Sequence, residues 1–494
     1  MYISAYRRLI PRTNQFIVRC YCRHVPWDGD YDLRLARELN EDKVFIEICE
    51  QYKRKLVKRT GVFVAQPFVR FKDDLLSTPD LRFQEAMSLV RSVPNWRVVD
   101  GGLFPVRGFQ SPSFFSDKVI SRLNDIILGN PLMDTLFVAV DRLLGHQQLE
   151  LEKALSIPVI DRFSVILEIF RSHAQTGEAM LQIQLAEIPY LMSRIKEYHS
   201  AGEEKTPLRY GRGGKGQSDD PVQKYKRHLD ERAKKIRNAL DRIERHRTQI
   251  FQHRSKRDIP SIAVIGYTNS GKTSLIKAIT NKNELEPEDR LFATLDVTAH
   301  LCSFPSFKNV ALLDSIGFIA NIPPSLITSF NTTFKDVASS DLLVHVYDIS
   351  HPDLKNQLDT VQKTLKNLEI PQKLVDSMIN IANKVDLIET LPEELTELVC
   401  PDHIRCSATE LTNLNTVVKE IDAKLSKFTG RNSIILRVPN GGEELSRLYK
   451  DSKIISMTPD KDDANYLLVE VIMSNASKIK FFHHFGDRIS LNES

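Results

Sequence analysis

The chain has 494 residues, of which 41% are hydrophobic and 27% are charged, and its net charge is +4. This length suits about three domains of ordinary size, and the composition is typical of a soluble globular protein. No apolar run reaches the roughly 18 residues that a membrane span requires, so we expect none. The six cysteines are scattered. Cys20 and Cys22 lack a second pair that would complete a zinc site, so reduced thiols are expected.

The amino-terminal segment is rich in arginine. Its first 27 residues contain no aspartate or glutamate, and apolar residues lie between Arg7, Arg8, Arg12, Arg19 and Arg23. This composition is typical of a mitochondrial targeting peptide, and the alternative is a disordered basic tail. We therefore expect residues 1–40 to be a targeting or disordered segment and the protein to act in the mitochondrial matrix.

Short apolar runs alternate with helical patterns from residue 41 to residue 160. Residues 62–65, 96–99 and 136–140 are predicted as strands. Residues 83–93 and 115–128 are predicted as helices. Strands that alternate with helices indicate a small α/β domain. Nothing in this domain predicts catalysis.

Residues 161–257 carry two long helical patterns, separated by a polar, glycine-bearing stretch at 201–220. Apolar side chains recur at spacings of three and four, which places one apolar stripe on each helix. We predict an antiparallel helical hairpin with a flexible basic tip, in which Pro189 kinks the first helix. The stripes are formed by Leu181, Leu185, Ile188, Met192 and Ile195 and by Leu229, Ile236, Leu240, Ile243 and Ile250.

The second of these helices is strongly basic. A run of charge on a helix is usually a solvated face, but this excess is large and continues into the basic tip. Lysines and arginines aligned along one element can neutralise several phosphates, so we predict that the hairpin contacts RNA. The basic residues are Lys224, Lys226, Arg227, Arg232, Lys234, Lys235, Arg237, Arg242, Arg245, Arg247, Arg254, Lys256 and Arg257, against Asp230, Glu231, Asp241 and Glu244.

Between residues 258 and 430 the alternation of strands and helices resumes, now with polar motifs at the strand ends, where open parallel sheets bind ligands. A β-branched run at 262–265 precedes a glycine-bearing loop, and an apolar helical pattern follows it. This order indicates a phosphate-binding loop, because glycines allow backbone N–H groups to approach a polyphosphate. The predicted loop comprises Gly266, Tyr267, Thr268, Asn269, Ser270, Gly271, Lys272, Thr273 and Ser274.

Magnesium and the terminal phosphates have their own candidate residues. Lys272 is expected to reach the β- and γ-phosphates, and Thr273 to ligate Mg²⁺. Asp314, which follows a predicted strand, is expected to hold Mg²⁺ through water, and Gly317 to donate its N–H to the γ-phosphate. Thr294 lies where a mobile switch segment belongs and could complete the Mg²⁺ coordination. The alternative for Thr294 is an ordinary loop threonine.

The base is predicted to be guanine. Asn383, Lys384 and Asp386 follow another predicted strand, and Ser407 and Ala408 would support the base from a neighbouring loop. A carboxylate can accept hydrogen bonds from the ring N–H and the exocyclic amine of guanine together, whereas adenine offers no such pair of donors. Because an unpaired, desolvated carboxylate is costly, the site should select GTP over ATP.

Hydrolysis is expected to be slow. Phe318 occupies the position where many GTPases place a glutamine that orients the attacking water. A phenylalanine neither donates nor accepts a hydrogen bond, so acceleration should come from another element or a partner. Packing of Phe318 within the switch segment is compatible with that expectation.

The fold class predicted for the whole chain is therefore multidomain α/β. It consists of the amino-terminal α/β domain at 41–160, the basic hairpin at 161–257 and a P-loop GTPase domain with a mainly parallel sheet at 258–430. A small α+β domain at 431–494, in which no chemistry is visible, ends the chain.

A further set of residues carries a resemblance to a known family: Val140, Asp141, Gln147, Leu149, Glu152, Asp161 and Arg162 with the ranges 166–170, 181–186, 292–296 and 314–318. In these positions the sequence resembles the ribosome-associated GTPases related to bacterial HflX, in particular their mitochondrial member. That resemblance implies an amino-terminal module that enters the large ribosomal subunit, splitting of ribosomes into subunits and, in mitochondria, large-subunit maturation.

Two details qualify the resemblance. At the hairpin tip, Gly216, Gln217, Ser218 and Asp219 stand where bacterial relatives carry Gly-Pro-Gly-Glu, so functions of that loop do not transfer. Asn269 resembles the potassium-coordinating asparagine of related GTPases, which implies a K⁺ ion beside the phosphates.

Two functions remain open from the sequence. The first is a monomeric, GTP-switched factor that binds the large mitochondrial ribosomal subunit and its rRNA. The second is an RNA-binding assembly scaffold in which the nucleotide is structural. A metabolic P-loop kinase would give no reason for the guanine motif or the basic hairpin.

Overall fold

A computed structural model describes most of the chain. The described residues are 29–52, 60–69, 78–174, 176–200, 221–256, 259–281, 291, 298–320, 326, 331–368, 370–388, 403–460, 463, 465–486 and 490–491. They form three β-sheets with their helices, which follow one another along the chain. Within these residues no helix is long and apolar enough to cross a bilayer.

Two short helices, α1 (Gly29–Asn40) and α2 (Lys43–Tyr52), come first. Helix α1 covers the last 12 residues of the segment that was predicted as targeting or disordered at 1–40. Ala36 and Leu39 are buried in α1, because apolar residues at helical spacing give it a face that packs on the hairpin. Residues 1–28 lie outside the described part, and their targeting role stays a prediction.

The amino-terminal sheet is parallel, with strand order β2-β1-β3-β4. Each predicted strand and helix is present. The strands β1 and β2 extend well beyond their predicted apolar runs, because they pair along their whole lengths. The elements are β1 (Thr60–Val69), α3 (Pro79–Ser92), β2 (Trp96–Val106), α4 (Asp117–Leu128), β3 (Thr135–Val138), α5 (Gly145–Leu155) and β4 (Val159–Ile160).

Three helices follow this sheet: α6 (Arg162–His173), α7 (Gly177–Ser200) and α8 (Pro221–Lys256). Helices α7 and α8 pack their predicted apolar stripes against each other and against α1 and α2, as far as residue 243; Leu185 and Met192 are partly buried there, and the side chain of Ile250 lies outside the described part. Helix α7 continues through Pro189 without interruption. Helix α6 packs in the core of the amino-terminal sheet instead, so the hairpin proper starts at α7. The predicted tip at 201–220 lies outside the described residues.

The third unit has a six-stranded sheet of order β10-β9-β8-β5-β7-β6, in which only β6 is antiparallel to its neighbour. The sequence did not predict β6, whose residues are mostly half-buried or exposed. The elements are β5 (Ser261–Ile265), α9 (Lys272–Thr280), β6 (Thr298–Phe304), β7 (Phe307–Asp314), α10 (Asn331–Ala338), β8 (Leu342–Asp348), α11 (Leu354–Asn367), α12 (Gln372–Asp376), β9 (Ile379–Asn383), β10 (Ile404–Arg405) and α13 (Leu414–Thr429).

The last unit is an antiparallel sheet of order β12-β13-β11-β14. Its βαββαβ connectivity is that of a ferredoxin-like domain. Leu436, Val469 and Phe481 lie in its core. The elements are β11 (Arg431–Pro439), α14 (Glu443–Asp451), β12 (Lys453–Pro459), β13 (Tyr466–Ser474), α15 (Asn475–Phe485) and β14 (Ser490–Leu491).

A buried histidine should make the central sheet sensitive to acid. Burial lowers the pKa of His345 on β8 to about 4, and nearby His403 and Lys272 add to this, whereas the 3.1 Å hydrogen bond with Asn380 opposes it. The unfolded chain binds a proton near the ordinary value of 6.5, so stability falls as pH drops from about 6.5 to 4. We expect a loss of about 2–3 kcal/mol between pH 7 and pH 4.5.

Hydrogen-exchange protection of the β8 amides measures that loss. The His345→Gln variant should lose most of the pH dependence, since glutamine does not titrate. Equal pH dependence of protection in the two proteins would contradict the assignment to His345.

Candidate functional site

The loop between β5 and α9 requires glycine at two positions. Gly266 has φ +155, and a Cβ there would lie 2.1 Å from the carbonyl oxygen of Val346. Gly271 has φ +90, and a Cβ there would lie 2.1 Å from Asn383 Nδ2. The loop therefore packs directly on the neighbouring strands, and α9 starts immediately after it at Lys272. The N-terminal N–H groups of a helix placed in this way can bind an anion.

Lys272 is enclosed by the loop. Its side chain is buried, and Nζ donates to the carbonyl oxygens of Tyr267 at 2.8 Å and Gly266 at 3.3 Å. Burial lowers the pKa of Lys272 to about 8, although the charge of Asp314 opposes this. Phosphate oxygens brought next to Nζ would favour the charged ammonium, which suits the predicted role of Lys272.

Thr273 and Asp314 meet at the end of the sheet. Thr273 Oγ1 donates to Asp314 Oδ2 at 2.7 Å, and Asp314 is the buried last residue of β7. A hydroxyl and a carboxylate are the hard oxygen ligands that Mg²⁺ prefers, with phosphates completing its shell. The pair fits the predicted Mg²⁺ site, whereas Thr294 lies outside the described residues. Bound Mg²⁺ would offset the negative charge of the phosphates.

Asn383 braces the site from β9. Its Nδ2 donates to the Ser270 carbonyl at 3.0 Å, and its Oδ1 accepts from the Ala408 N–H at 3.0 Å. The residue is buried, so its contacts join the phosphate loop to the 407–408 loop. The sequence predicted recognition of the base and did not foresee this bracing.

Lys384 and Asp386 lie at the predicted base position. Lys384 has φ +65, and its Nζ forms an ion pair with Asp348 Oδ2 at 2.8 Å. Asp386 is exposed in a 3₁₀ turn, Val385–Leu387. The nearby Ser407 is buried and its Oγ accepts from the Glu410 N–H at 3.0 Å. The arrangement suits a carboxylate that accepts from a guanine edge, and this role stays a prediction.

The segment after Asp314 lies against the phosphate loop. Phe318 N–H donates to the Gly266 carbonyl at 3.0 Å, and Thr268 N–H donates to the Phe318 carbonyl at 2.7 Å. The Phe318 ring is 1% exposed and stacks on Phe334 at 6.0 Å between centroids. Phe318 therefore packs in the core, as the sequence allowed. A buried ring in this place offers no group that could orient a water molecule.

Tyr267 differs from the other loop residues. Its side chain is buried and turns away from the loop, because its hydroxyl donates to Glu85 Oε1 of α3 at 2.7 Å. Only the backbone of Tyr267 can line the loop. The nucleotide contact predicted for this residue is therefore limited to its backbone groups. The sequence gave no signal for Glu85, whose partner lies 182 residues further along the chain.

A mainly parallel sheet with a phosphate loop, an acidic residue at the end of the neighbouring strand and a guanine motif defines a P-loop GTPase. Residues 261–384 match the family model described as "50S ribosome-binding GTPase". Residues 173–257 match "GTP-binding GTPase Middle Region", and residues 81–171 match "GTP-binding GTPase N-terminal".

Curated relatives match over most of the chain. "Putative GTP-binding protein 6" of Xenopus laevis is 38% identical over 459 residues, which are 92% of this chain and 84% of that protein. The Homo sapiens protein of the same name is 39% identical over 403 residues, covering 80% and 75% of the two chains. "GTPase HflX" of Caldanaerobacter subterraneus subsp. tengcongensis is 36% identical over 297 residues, covering 60% and 66%. The chain belongs to this HflX-like family of GTPases, and it binds and hydrolyses GTP.

Proposed function

We propose that this GTPase binds the large mitochondrial ribosomal subunit through its basic hairpin, and that it splits ribosomes into subunits or assists large-subunit maturation. The observation that carries the proposal is the charge of α8. One side of this helix is buried against α7, while its solvent side exposes seven basic residues before residue 246. They are Lys224, Arg227, Lys234, Lys235, Arg237, Arg242 and Arg245.

This face suits a phosphate backbone, since its seven exposed basic residues outnumber the exposed Asp230, Glu231 and Asp241. The basic residues extend over about six helical turns, which matches the repeating charge of an RNA strand. Such contacts release counterions, so binding should weaken steeply with salt. The match of residues 261–384 to the model described as "50S ribosome-binding GTPase" supports the same partner.

The GTPase site would time this interaction. Lys272, Thr273 and Gly317 would hold the phosphates and Mg²⁺, and GTP would favour the subunit-bound state. Hydrolysis would be slow because Phe318 is buried, so the ribosome would supply the acceleration. Release would follow when the γ-phosphate is lost.

Co-sedimentation tests the proposed partner. Purified protein is mixed with large or small mitochondrial subunits, with a non-hydrolysable GTP analogue or with GDP. We expect co-sedimentation with the large subunit in the analogue only, and loss of it when Lys234, Lys235 and Arg237 are changed to glutamine. Co-sedimentation that is the same with the analogue and with GDP, and that these substitutions do not change, would refute the proposal.

The amino-terminal arginines support a place in the mitochondrial matrix. A reporter fused to residues 1–40 tests this, and the control is the same fusion with Arg7, Arg8, Arg12, Arg19 and Arg23 changed to glutamine. Import of the first fusion alone is expected, and a purely cytosolic signal would oppose it.

An RNA-binding scaffold with structural nucleotide is the second candidate. The buried ring of Phe318 favours it, because the described switch residues include no side chain that positions water. The GTP-switched factor needs an intact phosphate site for its function, whereas the scaffold does not need turnover at that site.

Potassium should accelerate turnover. Asn269 sits in the phosphate loop with φ +61, and we propose that it helps to hold a K⁺ ion that offsets phosphate charge. We expect several-fold faster hydrolysis in KCl than in NaCl of equal ionic strength. The Asn269→Gly variant keeps the backbone conformation accessible and should remove the difference. Equal wild-type rates in the two salts would eliminate the K⁺ site.

A further inference from the structure

The amino-terminal domain contacts each side of the phosphate site. On α3, Glu85 accepts the Tyr267 hydroxyl of the phosphate loop, and the buried Ser92 Oγ accepts the Leu291 N–H at 2.9 Å. Leu291 lies just before the predicted switch segment that contains Thr294. The first residue of α6, Arg162, reaches Ala320, three residues beyond Gly317. Among the described residues, helices α3 and α6 therefore contact the phosphate loop at Tyr267, the chain at Leu291 and the segment after Gly317 at Ala320.

Ala320 is held at both of its backbone polar groups. Arg162 Nη2 donates to the Ala320 carbonyl at 3.0 Å, and the Tyr267 hydroxyl accepts the Ala320 N–H at 2.8 Å. Arg162 also donates to both carboxylate oxygens of Glu85, at 3.0 and 3.3 Å. Only Ala320 and Tyr267 belong to the GTPase domain. The other two residues belong to the amino-terminal domain.

The ion pair within this group is charged at neutral pH. Burial opposes ionisation of Glu85, but the Arg162 guanidinium and the hydrogen bonds from Arg162 and Tyr267 outweigh it and lower the pKa of Glu85. Arg162 and Tyr267 are only 9% and 7% exposed. Charge-assisted hydrogen bonds in such surroundings are stronger than neutral ones, so the group fixes Ala320 firmly.

The Gly317 segment lies close to the phosphate loop. A Cβ at Gly317 would lie 2.9 Å from Thr268 Cα and 3.0 Å from Lys272 Nζ, so this backbone lies directly against the loop. A γ-phosphate is expected to contact both Lys272 and the Gly317 N–H, so we expect its binding to shift the Gly317 segment. Because Ala320 is only three residues away, that movement must disturb the contacts of Arg162 and Tyr267.

We infer that Glu85, Arg162 and Tyr267 are positioning residues that form a latch, which holds residues 317–320 against the phosphate loop when no γ-phosphate is bound. GTP opens the latch and loosens α3 and α6 from the GTPase domain, whereas GDP leaves it closed. By linkage, a partner that moves the amino-terminal domain away must raise the affinity for GTP relative to GDP. The factor is the same as that by which GTP raises the affinity for that partner. The inference rests on the GTPase site alone and does not require a ribosomal partner.

Two substitutions test the latch without touching a phosphate contact. Tyr267→Phe removes only the hydroxyl that joins Glu85 to Ala320, and Glu85→Ala removes the carboxylate. Each should raise the affinity for a non-hydrolysable GTP analogue relative to GDP, by about three- to ten-fold, the worth of one or two buried hydrogen bonds. Because both act on one latch, the double variant should gain less than the product of the two. The affinities come from titrations with fluorescent nucleotides.

The matched control is Glu168→Ala, which breaks another ion pair of α6, with Arg171 at 2.9 Å, and should leave the affinity ratio unchanged. Hydrogen exchange in the wild type gives a second readout. Residues 79–92 should exchange faster with the GTP analogue than with GDP. An unchanged or lowered affinity ratio in Tyr267→Phe, or equal exchange with the two nucleotides, would overturn the latch.

Discussion

Replacing Asp386 by asparagine should change the nucleotide that the protein binds. We expect Asp386→Asn to weaken GTP binding by about 10²- to 10⁴-fold, since a polar site built for one hydrogen-bonding pattern rejects another by such factors. The variant should instead bind xanthosine triphosphate. Xanthine carries a carbonyl oxygen where guanine carries its exocyclic amine, and the asparagine amide can donate to that oxygen.

Competition against a fluorescent guanine nucleotide measures both affinities. Asp376→Asn is the matched control, since Asp376 is another exposed carboxylate of the same domain and should leave GTP affinity unchanged. Unaltered GTP binding by Asp386→Asn would mean that another group reads the base.

The phosphate site could be predicted because its signals are local. A β-branched strand, two glycines at forced conformations and a helix start lie within about twenty consecutive residues, and the structure has β5, Gly266, Gly271 and α9 in these places. The buried middles of the predicted strands were visible for the same reason. Strand ends were not, because pairing with a neighbour extends β1 and β2 past their apolar runs.

Contacts between distant residues could not be predicted. Glu85 and Arg162 are 77 residues apart, and Tyr267 lies 182 residues after Glu85, so no periodicity links them. The contacts by which Asn383 joins two loops could not be predicted either, because they depend on which backbone groups approach its side-chain amide. Helix α1 was not predicted. The arginine-rich, acid-free composition of the residues before it led to one targeting or disordered segment at 1–40, and the amphipathic pattern of the helix is short.

Removing the Lys272 side chain should separate nucleotide use from RNA binding. Lys272→Ala deletes the one ammonium that the loop encloses and leaves the carbonyl groups of Gly266 and Tyr267 without this donor. We expect kcat/KM for GTP to fall about 10³-fold or more, as for other groups that stabilise charge in phosphoryl transfer. Lys277→Ala, later on the same helix α9, should retain near-normal turnover.

RNA binding should survive the same substitution, because the exposed basic residues of α8 lie on a separate helix. Lys272→Ala should therefore keep a steep salt dependence of RNA affinity while losing nucleotide-dependent subunit splitting. Measured together by filter binding and by sucrose gradients, these outcomes distinguish the two functions proposed above. A Lys272→Ala protein that still splits ribosomes would show that the nucleotide is structural, since the hairpin alone would then suffice.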